Sequence, residues 1–141
     1  MIVVVDSDAL IALFNKEDPH SKTVEKLVEV LHEQKARLIY PVTTLVETVD
    51  TMQRKIKNHE VAVRVVQLIT ESYLANESIE SVNNEELKEA AKIYKKGFTN
   101  KTTLADSVVA AIAKKYNADA ILSFDEWYQK QGFKLVVDIG L

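Results

Sequence analysis

The stretch Met1-Ile2-Val3-Val4-Val5-Asp6-Ser7-Asp8-Ala9-Leu10-Ile11-Ala12-Leu13 decides the fold. Ile2 to Val5 is a continuous apolar run rich in β-branched residues. Such a run reads as a strand buried on both faces, as in parallel sheets covered by helices. Asp8 is placed to cap a short helix through about Phe14. In open sheets of this kind, active sites lie beyond the carboxyl ends of the strands. Asp6 sits at such an end.

The rest of the chain continues the alternation. Asp18-Pro19 opens a second helix, with Val24, Leu27, Val28 and Leu31 at helical spacing. Arg37 to Tyr40 is a second strand, ended by Pro41. Thr43 or Thr44 caps a long helix carrying Leu45, Val46, Val49, Met52 and Ile56. Asn58-His59 breaks it, and Val61, Val65, Leu68 and Ile69 mark the next. Glu77 to Val82 is a third strand. Asn83-Asn84 opens a helix that stops near Gly97, and Thr103 caps another bearing Val108, Val109, Ile112 and Ala113. Ala120 to Phe124 is a fourth strand, Asp125 caps a short helix ended by Gly132, and Phe133 to Val137 is a fifth strand. The pattern predicts an α/β fold, with a mostly parallel five-stranded sheet and right-handed crossovers that put helices on both faces.

Composition narrows the classes. The chain has 141 residues, 47% of them hydrophobic, which suits one domain over 1–141 with its own core. That apolar content and a small net charge argue against disorder. No run reaches the roughly 20 apolar residues that span a bilayer, and the apolar opening lacks the basic flank of a signal peptide. The absence of cysteine excludes disulfides, thiolate catalysis and thiolate-bound zinc, and suits a cytoplasmic location. Eighteen basic against 21 acidic residues give −3, which argues mildly against broad phosphate binding but not against a local patch.

Four acids fall at the strand-end edge: Asp6 after the first strand, Glu47 in the helix after the second, Asp106 in the helix before the fourth, and Asp125 after the fourth. Asp8 is a fifth nearby. Each has a structural reading. Thr44-Leu45-Val46-Glu47 fits a capping box, Thr103-Leu104-Ala105-Asp106 resembles one, and Asp8 and Asp125 suit ordinary caps. Asp6 resists this reading, because a carboxylate leaving a buried strand needs partners or a cation. Two carboxylates about 4 Å apart repel by roughly 4 kcal/mol at an effective dielectric near 20. A hard, oxygen-seeking cation removes that penalty, and the chemistry it supports is phosphate-ester cleavage.

These residues resemble a known family. Val3-Val4-Val5-Asp6-Ser7-Asp8-Ala9-Leu10-Ile11-Ala12-Leu13 looks like the opening of PIN domains, particularly the VapC-type toxin ribonucleases. Thr43-Thr44-Leu45-Val46-Glu47, Leu104-Ala105-Asp106-Ser107 and Ala120-Ile121-Leu122-Ser123-Phe124-Asp125 are similar to that family's second, third and fourth motifs. The resemblance implies a three-layer α/β/α fold with strand order 3-2-1-4-5. It implies an endoribonuclease dependent on Mg²⁺ or Mn²⁺, cleaving RNA with metal-activated water. On it, Asp6, Glu47, Asp106 and Asp125 form the catalytic metal cluster, with Ser7, Asp8 and Ser123 in support. Asp8 departs from the small uncharged residue many members carry. The resemblance also implies a homodimer, an RNA substrate, a protein antitoxin and no membrane.

Other signals carry less. His20, His32 and His59 have no partner at metal-ligand spacing. Three basic stretches, Arg54/Lys55/Lys57, Lys95/Lys96/Lys101 and Lys114-Lys115, read first as solvated helix ends and second as RNA backbone contacts. Trp127 and Tyr128 read as packing of a short helix, with base stacking as the lesser reading. The helices from about Thr43 to Tyr73 carry enough apolar surface to serve a partner or to close their own core. Two rival functions stand beside the nuclease. Asp6-Ser7-Asp8 resembles the motif of haloacid-dehalogenase-like phosphatases, in which Asp6 would be the nucleophile; Glu47 and Asp106 then have no role. A catalytically silent RNA-binding module on the same scaffold is the other. A phospho-receiver domain fits worse, since no aspartate follows the third strand.

Overall fold

The computed structural model describes residues 1–71 and 77–141. Strand β1 (Ile2–Val5) runs straight into α1 (Ser7–Phe14), followed by α2 (Ser21–Glu33), β2 (Arg37–Pro41), α3 (Val42–Arg54) and α4 (His59–Glu71). Then come β3 (Glu77–Glu80), α5 (Asn84–Lys96), α6 (Leu104–Lys115), β4 (Ala120–Leu122) and the short α7 (Trp127–Lys130). The sheet is parallel throughout, in the order β3-β2-β1-β4. β1 lies at its centre, with Val4 opposite Ile39 on one side and Ile121 on the other. The expected end of the fourth helix near Tyr73 lies outside the described residues.

Side-chain alternation divides the core into two layers. Val3, Val5, Leu38, Ala120 and Leu122 pack with Ala9, Leu10, Val24 and Leu31 of α1 and α2. Val4, Ile39 and Ile121 face the other way, onto Val108, Val109, Ile112 and Tyr128. Each fully buried aliphatic side chain adds roughly 1.5–3 kcal/mol, which is why both faces of so short a strand are spent on the core. Ser107 to Ala113 of α6 are all buried, as expected of a helix held between a sheet and a second helix. That second helix is α5. Lys114 and Lys115, at the end of α6, reach Glu89 and Glu86 near the start of α5, so the two helices run antiparallel.

The fifth expected strand is absent among the described residues. Phe133 to Val137 makes a single parallel bridge, Leu135 to Ile121, and then turns into a 3-10 helix, Val136–Asp138. The cause is local. Asp138 Oδ2 accepts from Leu135 N–H at 3.2 Å and from Gln129 Nε2 at 2.7 Å, which curls the segment before a second bridge can form. The segment still lies beyond β4, where the fifth strand was expected.

Several caps also differ. Asp6, not Asp8, caps α1, accepting from Ser7 N–H at 2.7 Å. Asp18 receives His20 N–H in a turn, and α2 begins only at Ser21. Pro41 leads directly into α3 at Val42, so Thr43 and Thr44 lie inside the helix. Asn83 and Thr103 form the capping boxes that open α5 and α6.

Candidate metal centre

The carboxyl end of β1 sets the centre. Asp6 leaves the strand with only 4% of its surface exposed. Its Oδ1 is held by Ser7 N–H, and its Oδ2 accepts from Tyr128 OH at 2.9 Å and lies 3.2 Å from Ser123 Oγ. Two neutral donors, Ser7 N–H and Tyr128 OH, orient this carboxylate, and Ser123 shares its single hydroxyl proton between Asp6 and Asp8; no cationic side chain pairs with Asp6 among the described residues.

Glu47 reaches the same point from α3. Because α3 starts at Val42, Thr44 is too deep in the helix to cap it, and its Oγ1 is buried with no partner among the described residues. The capping-box reading of Thr44 and Glu47 therefore fails. Glu47 instead accepts a hydrogen bond from Ser7 Oγ, which links α3 to α1. Asp106 forms the expected capping box and also lies beside Asp6 and Glu47. Its Oδ2 accepts from Thr103 N–H at 2.8 Å in a true capping box, while the half-buried carboxyl also faces the centre. Asp6, Glu47 and Asp106 each offer a carboxylate oxygen within 4.8 Å of the others.

The remaining expected residues surround this trio. Asp125 is not one of the three; its Oδ1 accepts from Trp127 N–H at 2.9 Å and starts α7. Asp8 Oδ2 accepts from Phe124 N–H at 2.8 Å and lies 2.9 Å from Ser123 Oγ, so Asp8 fastens the turn after β4 to α1. Ser123 sits between Asp6 and Asp8 and accepts from Asp125 N–H at 3.1 Å. Tyr128 was read from sequence as packing, with base stacking as the lesser reading, and not as a partner of Asp6. It is fully buried, and its hydroxyl is also a partner of Asp6. The available signal was general: a buried tyrosine needs a partner for its OH.

The electrostatics are those of a buried cluster of acids. Burial, then the charges of Asp8 and Asp106, push the Asp6 carboxyl well above the usual range, against the bonds from Ser7 and Tyr128. Burial raises Asp106 too, opposed by its bonds to Thr103, with Glu47 and Asp125 adding to the rise. Burial raises Asp8 in turn. At about 4.8 Å a pair of full charges repels by ~3 kcal/mol at an effective dielectric of 20. The donor set fits a hard divalent cation. All three groups are oxygen donors, the type that Mg²⁺ and Mn²⁺ prefer.

A pH dependence follows. A carboxyl whose folded pKa is raised binds more protons folded than unfolded, so its contribution to stability is complete below about 3.8 and is lost as pH rises. Glu80 is shifted the other way by Tyr116 and Lys115, and its contribution is already complete above its usual 4.5. Above about pH 5 the Asp6 and Asp106 effects therefore dominate. Metal-free protein should lose melting temperature from about pH 5 to 7.5, as followed by circular dichroism in chelator. A melting temperature that climbs over this window would contradict the buried, cation-free assignment.

An open groove of about 330 Å³ runs along α3 past Glu47, with Val42, Val46, Asp50 and Arg54 among its lining.

Comparison with known proteins agrees with this geometry. A family model described as the PIN domain matches residues 3–134. The VapC ribonuclease of Aquifex aeolicus (strain VF5) is 26% identical over 134 residues, covering 94% of this chain and 94% of the relative. The crystal structure of Mycobacterium tuberculosis VapC20, a sarcin-ricin loop cleaving toxin, matches with a TM-score of 0.78 at 20% identity, over 93% of this chain and 95% of that one. VapBC2 from Rickettsia felis, bound to a DNA fragment from its promoter, matches at 0.68 and 16% identity, over 96% and 97%. The structural likenesses establish the fold, and the family match establishes membership: the chain belongs to the PIN domain family.

Proposed function

We propose that this PIN-domain chain is a divalent-cation-dependent endoribonuclease of the VapC type, working as a single domain. The observation that carries the reading is the convergence of Asp6, Glu47 and Asp106 from three separate parts of the fold, with no cationic side chain pairing with Asp6 among the described residues. The similarity to a VapC ribonuclease along nearly the whole chain supports it.

Asp6, Glu47 and Asp106 would hold Mg²⁺ or Mn²⁺, and Asp125 would add negative charge nearby. A cation held there would supply positive charge to offset the scissile phosphate and to acidify a water. The chain's own groups do the positioning. Ser7 Oγ fixes Glu47, Tyr128 OH and Ser7 N–H fix Asp6, and Thr103 fixes Asp106. Ser123, buried between Asp6 and Asp8, helps to place both carboxyls. A phosphatase using Asp6 as nucleophile is disfavoured: Asp8, its acid, is fastened to Phe124 N–H, and Glu47 and Asp106 would stand idle. By likeness to VapBC assemblies, the protein partner is an antitoxin; a second copy of the chain is the other partner of this reading. No described helix is long and apolar enough to cross a membrane, consistent with action in the cytoplasm.

Purified protein with single-stranded RNA should cleave internally in Mn²⁺ and not in chelator, leaving 5′-phosphate and 3′-hydroxyl ends on analysis by end-labelling. RNA that is bound yet stays intact in Mn²⁺ would favour the silent-module reading instead.

A further inference from the structure

We propose that the α5–α6 loop is a base-stacking subsite for an unpaired nucleotide of the RNA strand, with Phe98 as its platform and Lys95, Lys96 and Lys101 as its phosphate-facing charges. The inference rests on the ribonuclease reading above and assigns part of its substrate contact.

The structure sorts the three basic stretches. Lys114 and Lys115 are committed to Glu89, Glu86 and Glu80, where they clamp the far end of the α5–α6 hairpin. Arg54 pairs with Asp50 along α3; Lys55 and Lys57 beside it are exposed and make no ion pair among the described residues, but no exposed aromatic ring accompanies them there. Lys95, Lys96 and Lys101 are exposed and make no ion pair among the described residues. From Ala90 to Ala105 the sequence holds four lysines and no acid, in a chain whose net charge is −3. The positive charge is therefore concentrated rather than spread.

Phe98 stands in the middle of this segment, 60% exposed. A lone exposed hydrophobic side chain is ordinary. This one is braced: Tyr94 meets it edge-on, with ring centroids 5.7 Å apart at 79°, which steadies the ring without covering it. An aromatic face framed by unpaired lysines is the arrangement that binds single-stranded nucleic acid, by stacking and backbone neutralisation together.

The loop is fastened to the acidic centre at both ends. Gly97 C=O accepts from Trp127 Nε1 at 2.8 Å, Trp127 N–H donates to Asp125, and the adjacent Tyr128 donates to Asp6. At the other end Thr103 forms the capping box with Asp106. Between them Thr99 Oγ1 accepts from Thr102 N–H at 3.0 Å, folding the loop on itself. A base on Phe98 thus belongs to a strand whose neighbouring phosphate lies near the acids, and little ordering is left to pay for on binding.

The test uses a fluorescein-labelled, unstructured 20-nucleotide RNA in chelator, bound to the full chain in an Asp6→Asn background that leaves RNA intact. Phe98→Ala should weaken binding about ten-fold with an unchanged salt slope, and Phe98→Tyr should restore it to within about two-fold. Replacing Lys95, Lys96 and Lys101 together with Gln should flatten the slope of log affinity against log salt by about 2. A 5-iodouridine version of the RNA should crosslink to Phe98. Melting of Phe98→Ala should match its parent, since the ring is exposed. Unchanged affinity for Phe98→Ala, or an unchanged slope for the triple variant, would overturn the loop assignment. If the wild type still cleaves RNA in Mn²⁺, only that assignment falls; if it neither binds nor cleaves, the ribonuclease reading falls with it.

Discussion

Asp6→Asn protein, stripped of divalent cations at neutral pH, should melt about 3–6 °C above the wild type while cleaving RNA at least about a thousand-fold more slowly. Opposite movement of stability and activity is the signature of a strand-end carboxylate kept for its charge. Asp6 is buried and faces Asp8 and Asp106, so its ionised form is disfavoured in the folded state. Removing that charge relieves ~1–2 kcal/mol. Asparagine can fit the same bonds: its oxygen keeps the bond from Ser7 N–H, and its amide can donate to Tyr128 and Ser123, whose hydroxyls rotate to accept. The loss of activity has a separate origin, since a neutral amide is a poor ligand for a hard cation. A thousand-fold corresponds to ~4 kcal/mol of barrier. Full metal-dependent activity in this variant would remove the premise of the site.

How much of this was legible beforehand differs from element to element. Ile2 to Val5 announced the central strand because a strand covered on both faces leaves an unbroken apolar run, and that run placed Asp6. Glu47 was picked out by its place at the strand-end edge and by the family resemblance, not by its local pattern. Thr44-x-x-Glu47 satisfies a capping pattern, and only the helix start at Val42 shows that the threonine is in the wrong place to cap. Thr103-x-x-Asp106 carries the same pattern and does form the box, with the acid serving the centre as well. Local sequence could not separate these cases, because the difference lies in how the preceding strand hands over to its helix. The fifth strand failed for a related reason. Phe133 to Val137 has strand composition, but Asp138 captures Leu135 N–H and bends the chain away. Tyr128 was legible as buried and not as a partner of Asp6, since the bond spans 122 residues of sequence.

Mn²⁺ at about a hundred times its dissociation constant should stabilise the wild type by ~2.7 kcal/mol, which for a chain of this size is about 8 °C in melting temperature. The gain has two parts: ligation itself and removal of the repulsion that disfavours Asp6 and Asp106 as anions. Asp106→Asn separates them from any effect on helix α6. The asparagine oxygen can still accept from Thr103 N–H, so the capping box that starts the helix survives. What is lost is one of the three converging carboxylates, and the shift should shrink to less than about 3 °C. Asp125→Asn is the informative contrast. Its Oδ1 is occupied by Trp127 N–H and it stands apart from the trio, so most of the Mn²⁺ shift should remain. Equal shifts in wild type and Asp106→Asn would place the ion elsewhere on the surface. A loss in Asp125→Asn as deep as in Asp106→Asn would instead bring a fourth carboxylate into direct contact with it.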